Sequence, residues 1–108
     1  MRPEASIERV AAAWAGVTTS SVEGGADLAY GSIDFGRIRA GVVEAALPPR
    51  VREMTIETGR AEPARDRRWA LLRVGSEDDV EAAVELLRLA YERARIALAV
   101  RDAQRPIR

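Results

Sequence analysis

The side chains best suited to bind a ligand are arginines in the middle of the chain. Arg37 and Arg39 flank Ile38, so on a β-strand both arginine side chains would point to the same face. A guanidinium presents five N–H donors in a fixed fork that matches carboxylate and phosphate groups. The sequence therefore predicts an anion-binding patch, formed by the following residues: Arg37, Arg39, Arg65, Arg67, Arg68 and Trp69.

A second interpretation gives the same arginines a structural role. The chain has 17 basic and 17 acidic residues, so carboxylates are as abundant as guanidinium groups. Arg37 and Arg39 could then form ion pairs across a sheet instead of holding a ligand. The candidate partners are Asp27, Asp34, Glu44 and Glu62. Both interpretations stay open at the level of the sequence.

The chain lacks several of the residue types on which catalysis usually depends. It contains no His and no Cys, so the usual general base, the thiolate nucleophile and the commonest transition-metal ligands are absent. Acid–base catalysis by carboxylates would need two groups in one pocket with separated pKa values, and no spacing among the glutamates singles out such a pair. We expect no catalytic residue, no metal site and no cofactor, and a protein that is not an enzyme.

The composition limits the partners and the compartment. The formal net charge is zero, so nucleic acid is an unlikely partner. No stretch approaches 18 uninterrupted apolar residues, and the N-terminus lacks an apolar signal core. We therefore expect no membrane contact and a cytoplasmic protein. Residues 1–108 should form one α+β domain, with a core over about 4–101 and a frayed tail over 102–108.

The hydrophobic periodicity predicts a helix and then a run of strands in the first half of the chain. Ile7, Val10, Ala11 and Trp14 fall on one helical stripe. From residue 17 to residue 47 the pattern changes to short β-prone segments separated by glycine-containing turns, which predicts a four-stranded antiparallel meander. Gly24-Gly25 should supply the positive φ angles of the first turn, and Gly36 marks a possible bulge.

Two further elements precede the last helix. Pro49 can serve as the first residue of a short helix over about 50–58, with Val51, Met54, Thr55 and Thr58 on its inner face. Residues 60–68 read as a polar loop, and residues 69–74 as a fifth strand. The fold class predicted is thus α+β, an antiparallel sheet of about five strands with an N-terminal, a short middle and a long C-terminal helix.

The C-terminal helix is predicted to be apolar on two sides. Ser76 and Asp79 form a capping-box pattern at its start. One arc should lie on the sheet and holds Val80, Val84, Leu87, Tyr91, Ala94 and Leu98, with Ala83 and Ala90 at its edge. The roughly opposite side carries a predicted interface, made of Leu86, Leu89, Arg93, Ile96 and Val100. Such a surface is larger than scattered exposure would produce.

These patterns support two functional hypotheses. The preferred one is a non-enzymatic interaction domain that forms a homo-oligomer or docks a partner protein through the back of the last helix. The alternative is a small-molecule or anion-binding protein that uses the arginine-lined cleft.

Short motifs in a fixed order connect the chain with a known family. They run through residues 13–94 and are Trp14-Ala-Gly-Val-Thr-Thr, Gly24-Gly25, Gly36-Arg-Ile-Arg-Ala-Gly41, Leu47-Pro-Pro-Arg, Gly59-Arg-Ala-Glu-Pro63, Trp69 and Leu86-Leu87-Arg-Leu-Ala-Tyr91-Glu-Arg. In order and spacing they resemble the short bacterial α+β proteins of the luciferase-domain family. The family label does not imply light emission.

The chain departs from this family where its histidines would stand. The family pattern reads Gly-His-apolar-His-Gly where this chain has Arg37 and Arg39, and Glu-Pro-His where it has Ala64. Arginine stays protonated and does not ligate metal cations. The resemblance therefore implies that any histidine-dependent activity of relatives is absent here, so that this chain would be a degenerate relative of such an enzyme.

Overall fold

The computed structural model describes residues 2–104, and it confirms the predicted α+β class with three α-helices and an antiparallel sheet. The elements in chain order are α1 (Pro3–Ala12), β1 (Val17–Val22), β2 (Gly25–Tyr30), β3 (Ile33–Arg39), β4 (Val42–Ala46), α2 (Pro49–Glu57), β5 (Glu62–Pro63), β6 (Trp69–Arg73) and α3 (Val80–Ala103). A 3₁₀ turn at Glu77–Asp79 precedes α3.

The sheet has six strands in the order β1-β2-β3-β4-β6-β5, one more than predicted. The extra strand, β5, lies in the segment that the sequence predicts to be a loop and pairs antiparallel with β6. It is two residues long, too short for an alternating pattern. Pro63 has no N–H to donate, and it is tolerated because β5 is an edge strand.

The β1–β2 turn shows that the two glycines of this hairpin have different roles. Val22 pairs with Gly25, so Glu23 and Gly24 form the turn. Gly24 has a φ of 81°, whereas neither Glu23 nor Gly25 has a positive φ. A negative φ followed by a positive one is typical of a type II turn rather than type I′. The prediction that Gly25 supplies a positive φ is wrong. Its role is close approach, since a Cβ there would lie 1.7 Å from the carbonyl oxygen of Ile38.

The core lies between α1 and α3 and one face of the sheet. A β-bulge contributes to it, because the β2–β3 register shifts between Leu28, opposite Gly36, and Ala29, opposite Asp34. The extra residue is Phe35, whose ring lies 5.7 Å from that of Tyr91 on α3. The bulge was predicted one residue further on.

Tyr91 joins α3 to the N-terminal segment. Its side chain is 2% exposed, and its hydroxyl donates a 2.6 Å hydrogen bond to the carbonyl oxygen of Ala15. Trp14, predicted on the apolar stripe of the first helix, is half-buried, and its ring centroid lies 5.2 Å from that of Tyr91 with the rings tilted by 36°. A buried hydroxyl with a partner costs little, so the ring adds its full apolar area to the core.

The buried side of α3 is rotated relative to the prediction. Ala83 and Ala90, predicted at the edge of the arc, are fully buried, while Val80 and Val84 are half-buried. Leu86, predicted on the exposed back, is 5% exposed and belongs to the core cluster. That part of the interface prediction is wrong. Small alanines let the helix approach the sheet closely, which brings a wider arc into contact.

Three other apolar or polar side chains are more exposed than predicted. Val10 on α1 is 39% exposed and Met54 on α2 is 65% exposed, and Thr58 is exposed as well. Of the predicted inner face of α2, Thr55 is buried and Val51 half-buried. Because Thr55 is the one fully buried residue of α2, the helix has no broad apolar stripe, and its sequence pattern predicted its orientation poorly.

The two ends of α3 differ in how they match the sequence. The predicted capping box at Ser76 and Asp79 is present, with Asp79 accepting hydrogen bonds from the N–H groups of Gly75 and Ser76. At the other end the helix continues to Ala103, two residues into the predicted frayed tail. The rest of that tail, 105–108, lies outside the described residues. Within residues 2–104, no helix is long and apolar enough to cross a membrane.

Glu4 links α1 to the β3–β4 turn and provides a pH-dependent test of the fold. Its Oε2 accepts a 2.8 Å hydrogen bond from the N–H of Gly41, which lowers the pKa of Glu4. Stabilisation from a lowered pKa is present above the unfolded-state value, about 4.3, and is lost as pH falls through the folded-state pKa. We expect Glu4→Ala to lower the free energy of unfolding by about 1 kcal/mol or less at pH 7, since solvent screens the carboxylate.

Urea unfolding at pH 7 and near pH 3 measures this difference. It should shrink in acid, whereas Glu8→Ala, which removes a carboxylate from the same helix, should show little change at either pH. A Glu4→Ala effect that is equally large at both pH values would rule out an ionic contribution.

Candidate functional site

Several of the predicted anion-binding residues contact other groups of the protein. Arg37 lies on the sheet face opposite the core, and its guanidinium carbon is 3.9 Å from the centroid of the Trp69 ring. Trp69 is 3% exposed, so this contact is shielded from water. Cation–π contacts of this kind stabilise by about 1 kcal/mol or somewhat more when desolvated. The face of the Trp69 ring that Arg37 covers is therefore occupied by the protein itself.

Arg39 is neutralised within the sheet. Its Nη2 donates a 2.9 Å hydrogen bond to Oδ1 of Asp27, and its Nη1 donates to the carbonyl oxygens of Ala26 and Ile38 at 3.3 and 3.0 Å. Asp27 was one of the four carboxylates proposed as partners under the structural interpretation. For Arg39, that interpretation describes the observed geometry.

Arg68 pairs with a carboxylate in its own loop. Its side chain donates to Asp66, with Nη2 3.2 Å from Oδ2, and its backbone N–H donates to Oδ1 at 3.0 Å. The side-chain hydrogen bond from Arg68, the backbone one and the nearby charge of Arg37 lower the pKa of Asp66. The same carboxylate raises the pKa of Arg68. Another candidate partner, Glu62, pairs with Arg73 at 3.2 Å instead.

Arg65 and Arg67 are exposed, and neither has an ion-pair partner among residues 2–104. Arg67 lines a small cavity of about 380 Å³ beside α2, which also contains Arg52, Glu53 and Glu57. Anion binding by the six predicted residues stays a prediction: Arg39 and Arg68 have carboxylate partners, whereas Arg37, Arg65 and Arg67 have no ion pair in the part of the chain that the structure describes. Among residues 2–104, no group of three or more acidic side chains is placed to hold a metal ion.

The back of α3 carries a second candidate surface. Ile96 is 54% and Val100 49% exposed, whereas Leu89 is half-buried against the core. We call Leu89, Arg93, Ile96 and Val100 the back strip. Within α3 the last buried residue is Ala94, so the helix beyond it has no fully covered side.

A groove between α2 and α3 adjoins the back strip. It consists of two neighbouring cavities of about 620 and 400 Å³, and Thr55, Arg60 and Leu89 line both. Leu72 and Leu86 line the larger cavity as well. Val51, Met54 and Arg93 line the smaller one. We call this feature the helix groove.

Met54 is a residue of the helix groove that the sequence analysis did not place at a surface. It was assigned to the inner face of α2 because it falls on the same helical stripe as Val51. Its 65% exposure, at the rim of the helix groove, was not signalled by any periodicity. The composition of α2 could have indicated this exposure, because the helix has too few strongly apolar positions to bury a methionine.

The arginines of α3 are not equivalent. Arg88 pairs with Glu92 at 2.9 Å and lies 5.2 Å from the Trp14 ring, and Arg95 contacts the same Glu92 at 3.5 Å. Arg101 donates to Ser32 at 3.1 Å. Within the described part of the chain, the guanidinium of Arg93 has no ion-pair partner. Arg101 likewise has no ion pair there, because its partner Ser32 is uncharged, so Arg93 and Arg101 are the two arginines of α3 without a carboxylate partner.

Comparison with known proteins gives one family match. A family model described as Luciferase domain matches residues 37–90, half of the 108-residue chain. The match runs from β3 to the middle of α3, so it includes Leu89 but ends before Arg93, Ile96 and Val100. No curated protein and no solved structure matches the chain significantly.

Proposed function

We propose, from the premise that the chain belongs to the Luciferase domain family, that this protein is a non-enzymatic interaction domain that self-associates through α3. The observation that carries the proposal is the exposure of Ile96 and Val100, two large aliphatic side chains on the half of α3 that follows the last buried residue. Removing such side chains from water contributes roughly 25 cal/mol per Å² of apolar surface.

The spacing of the back strip supports pairing of two helices. Its members are separated by four, three and four residues. A repeat of four and three residues is the heptad spacing of helices that pack side by side. The strip is therefore suited to another α-helix more than to a strand or a loop.

An antiparallel arrangement of two copies uses the helix groove, which a parallel one leaves empty. With a two-fold axis near Arg93, the exposed Ile96 and Val100 of one copy lie against Leu89 and the helix groove of the other. Met54 at the groove rim then gains an apolar neighbour. In a parallel pair each residue would meet its own copy, and the exposed end of α3 would not reach the groove. The antiparallel pair buries more apolar surface.

Arg93 would then stand beside its own copy at the centre of the interface. A single polar residue in an apolar helical seam fixes the register and lowers the stability of the pair. The neighbouring Glu92 is already engaged with Arg88 and Arg95. Arg93 thus gives specificity at a cost, and the association we propose is reversible rather than permanent.

Sedimentation equilibrium tests whether the chain associates. We expect a monomer–dimer equilibrium, with an apparent mass that rises toward twice the mass of the chain as concentration increases. A single species with the mass of one chain over the whole accessible concentration range would overturn the proposal.

Cysteine cross-linking tests the relative direction of the two helices. Because the chain has no native Cys, a disulfide can form only at the introduced positions. We expect a Leu89→Cys chain mixed with an Ile96→Cys chain to form a disulfide-linked pair under mild oxidation, because these positions face each other in the antiparallel arrangement. Either variant by itself should cross-link poorly. Efficient cross-linking of each variant to itself, with none between them, would indicate a parallel pair and contradict the proposed arrangement.

A further inference from the structure

A second cleft lies on the other side of Arg93, where α3 passes over the ends of β3 and β4. Its volume is about 300 Å³, and its walls are almost entirely apolar. Phe35 and Leu47 come from the sheet, and Ala90, Ala94 and Ala97 from α3. We call it the strand-end cleft. The three alanines leave the space, because a larger side chain at any of them would fill the gap between helix and sheet.

The charges at the mouth of this cleft are unequal. Arg68, Arg93 and Asp34 line it. Arg68 is paired with Asp66, and Asp34 is exposed. Of the two arginines that line the cleft, Arg93 is the one without an ion-pair partner among residues 2–104. A free guanidinium beside an apolar space is complementary to one carboxylate attached to an apolar body.

We infer that the strand-end cleft binds a small organic monoacid, with its apolar body against Leu47 and the alanines and its carboxylate on Arg93. A water molecule occupies about 30 Å³ of liquid, so the cleft has room for roughly ten groups of that size. An eight-carbon acid such as octanoate fits this size. Asp34 at the same mouth disfavours diacids and phosphates, which carry a second negative charge.

This site shares Arg93 with the proposed interface but does not require self-association. The cleft is not lined by Leu89, Ile96 or Val100. Octanoate should therefore also bind at concentrations at which the chain is monomeric. Failure of association and failure of ligand binding can thus be observed separately.

Isothermal titration calorimetry with octanoate, octan-1-ol and octylamine tests the inference. We expect saturable binding of one octanoate per chain. The uncharged alcohol should bind at least tenfold more weakly than octanoate, and the amine more weakly than the alcohol. Arg93→Gln should weaken octanoate binding about tenfold, because it removes a charge-assisted hydrogen bond. Asp34→Asn should strengthen it roughly two- to fivefold, because it removes a like charge.

Two more variants control for folding and for non-specific charge effects. Ala97→Phe fills the cleft from an exposed position and should abolish binding, while its unfolding curve stays close to that of the unmodified protein. Arg9→Gln removes an exposed guanidinium on α1, which does not line the cleft, and should leave binding unchanged. Absence of saturable octanoate binding would overturn the inference. So would equal affinity for the alcohol, or unchanged binding by Arg93→Gln or Ala97→Phe.

Discussion

A chain carrying both Leu89→Glu and Ile96→Glu is expected to be monomeric at concentrations at which the unmodified chain is a dimer. Each substitution places a carboxylate in the apolar centre of the proposed interface, and the two-fold axis repeats both changes in the partner. The dimer would hold four added carboxylates against two Arg93 guanidinium groups, so at least two buried charges would lack a partner. Each costs several kcal/mol, and the dissociation constant should therefore rise by more than about 100-fold. Sedimentation equilibrium of the variant and the unmodified chain at matched concentrations measures this change.

The matched control is Ala99→Glu, which adds the same charge to an exposed position of α3 outside the back strip. It should leave the association almost unchanged. A third variant, Arg93→Leu, should strengthen the association, because it replaces the polar residue at the centre of the seam. A double glutamate variant that still dimerises, with a normal circular dichroism spectrum, would show that α3 does not form the interface.

Thermal unfolding of the same variants separates loss of association from loss of fold. Ile96 is more than half exposed, so its replacement by Glu should not disturb the core. Leu89 is half-buried against the core, and its replacement should cost some stability. Leu89→Gln, which carries no charge, provides the comparison. It should have a similar melting temperature but a weaker effect on association.

Periodicity and turn chemistry predicted most elements of this fold. The boundaries of β6 and α2 and the capping box before α3 agree closely with the expected ones, and the luciferase-domain resemblance is confirmed. These features are local, because they depend on residues within one or two turns of each other. The strand β5 was missed for the same reason, since a pairing of two residues has no local signature.

The parts that the sequence predicted poorly depend on contacts between distant segments. Leu86 was placed on the wrong side of α3 because a helical stripe gives the direction of the apolar arc but not its width. That width depends on how closely Ala83 and Ala90 let the helix approach the sheet. Likewise, Arg37 meets Trp69 only because β4 lies between β3 and β6. Nothing in the spacing of these two residues indicates that strand order.

The candidate sites show the same difference between local features, which the sequence predicts, and contacts between distant segments, which it does not. Residue type identified arginines as the chemically notable side chains, but it could not tell which of them the fold would neutralise. Arg39 and Arg68 have carboxylate partners in the folded chain, and Arg37 has an aromatic one. Arg93 was predicted for the interface, and its free charge became evident only when the other ion pairs were known. The structure therefore favours α3 over the sheet face as the location of a binding site.

Gly25→Ala is expected to be among the most destabilising single substitutions in the chain. A Cβ at this position would lie 1.7 Å from the carbonyl oxygen of Ile38, 2.7 Å from its carbon and 3.1 Å from Cα of Arg39. All three are backbone atoms of β3, which pairs with β2 at this point, so no side chain can move aside. The two strands would have to separate locally, which would also strain the Arg39–Asp27 ion pair. We expect a loss of about 3 kcal/mol or more in the free energy of unfolding.

The adjacent Gly24 provides the control for this explanation. A Cβ there meets no atom within 4 Å, but its φ of 81° is one that other residues adopt at a cost. Gly24→Ala should therefore lose about 1–2 kcal/mol from backbone conformation, and Gly24→Asn less, because Asn tolerates positive φ better. Urea unfolding of the three variants measures the differences. Equal losses for Gly24→Ala and Gly25→Ala would show that turn conformation, and not the close approach of β2 to β3, determines the requirement for glycine at both positions.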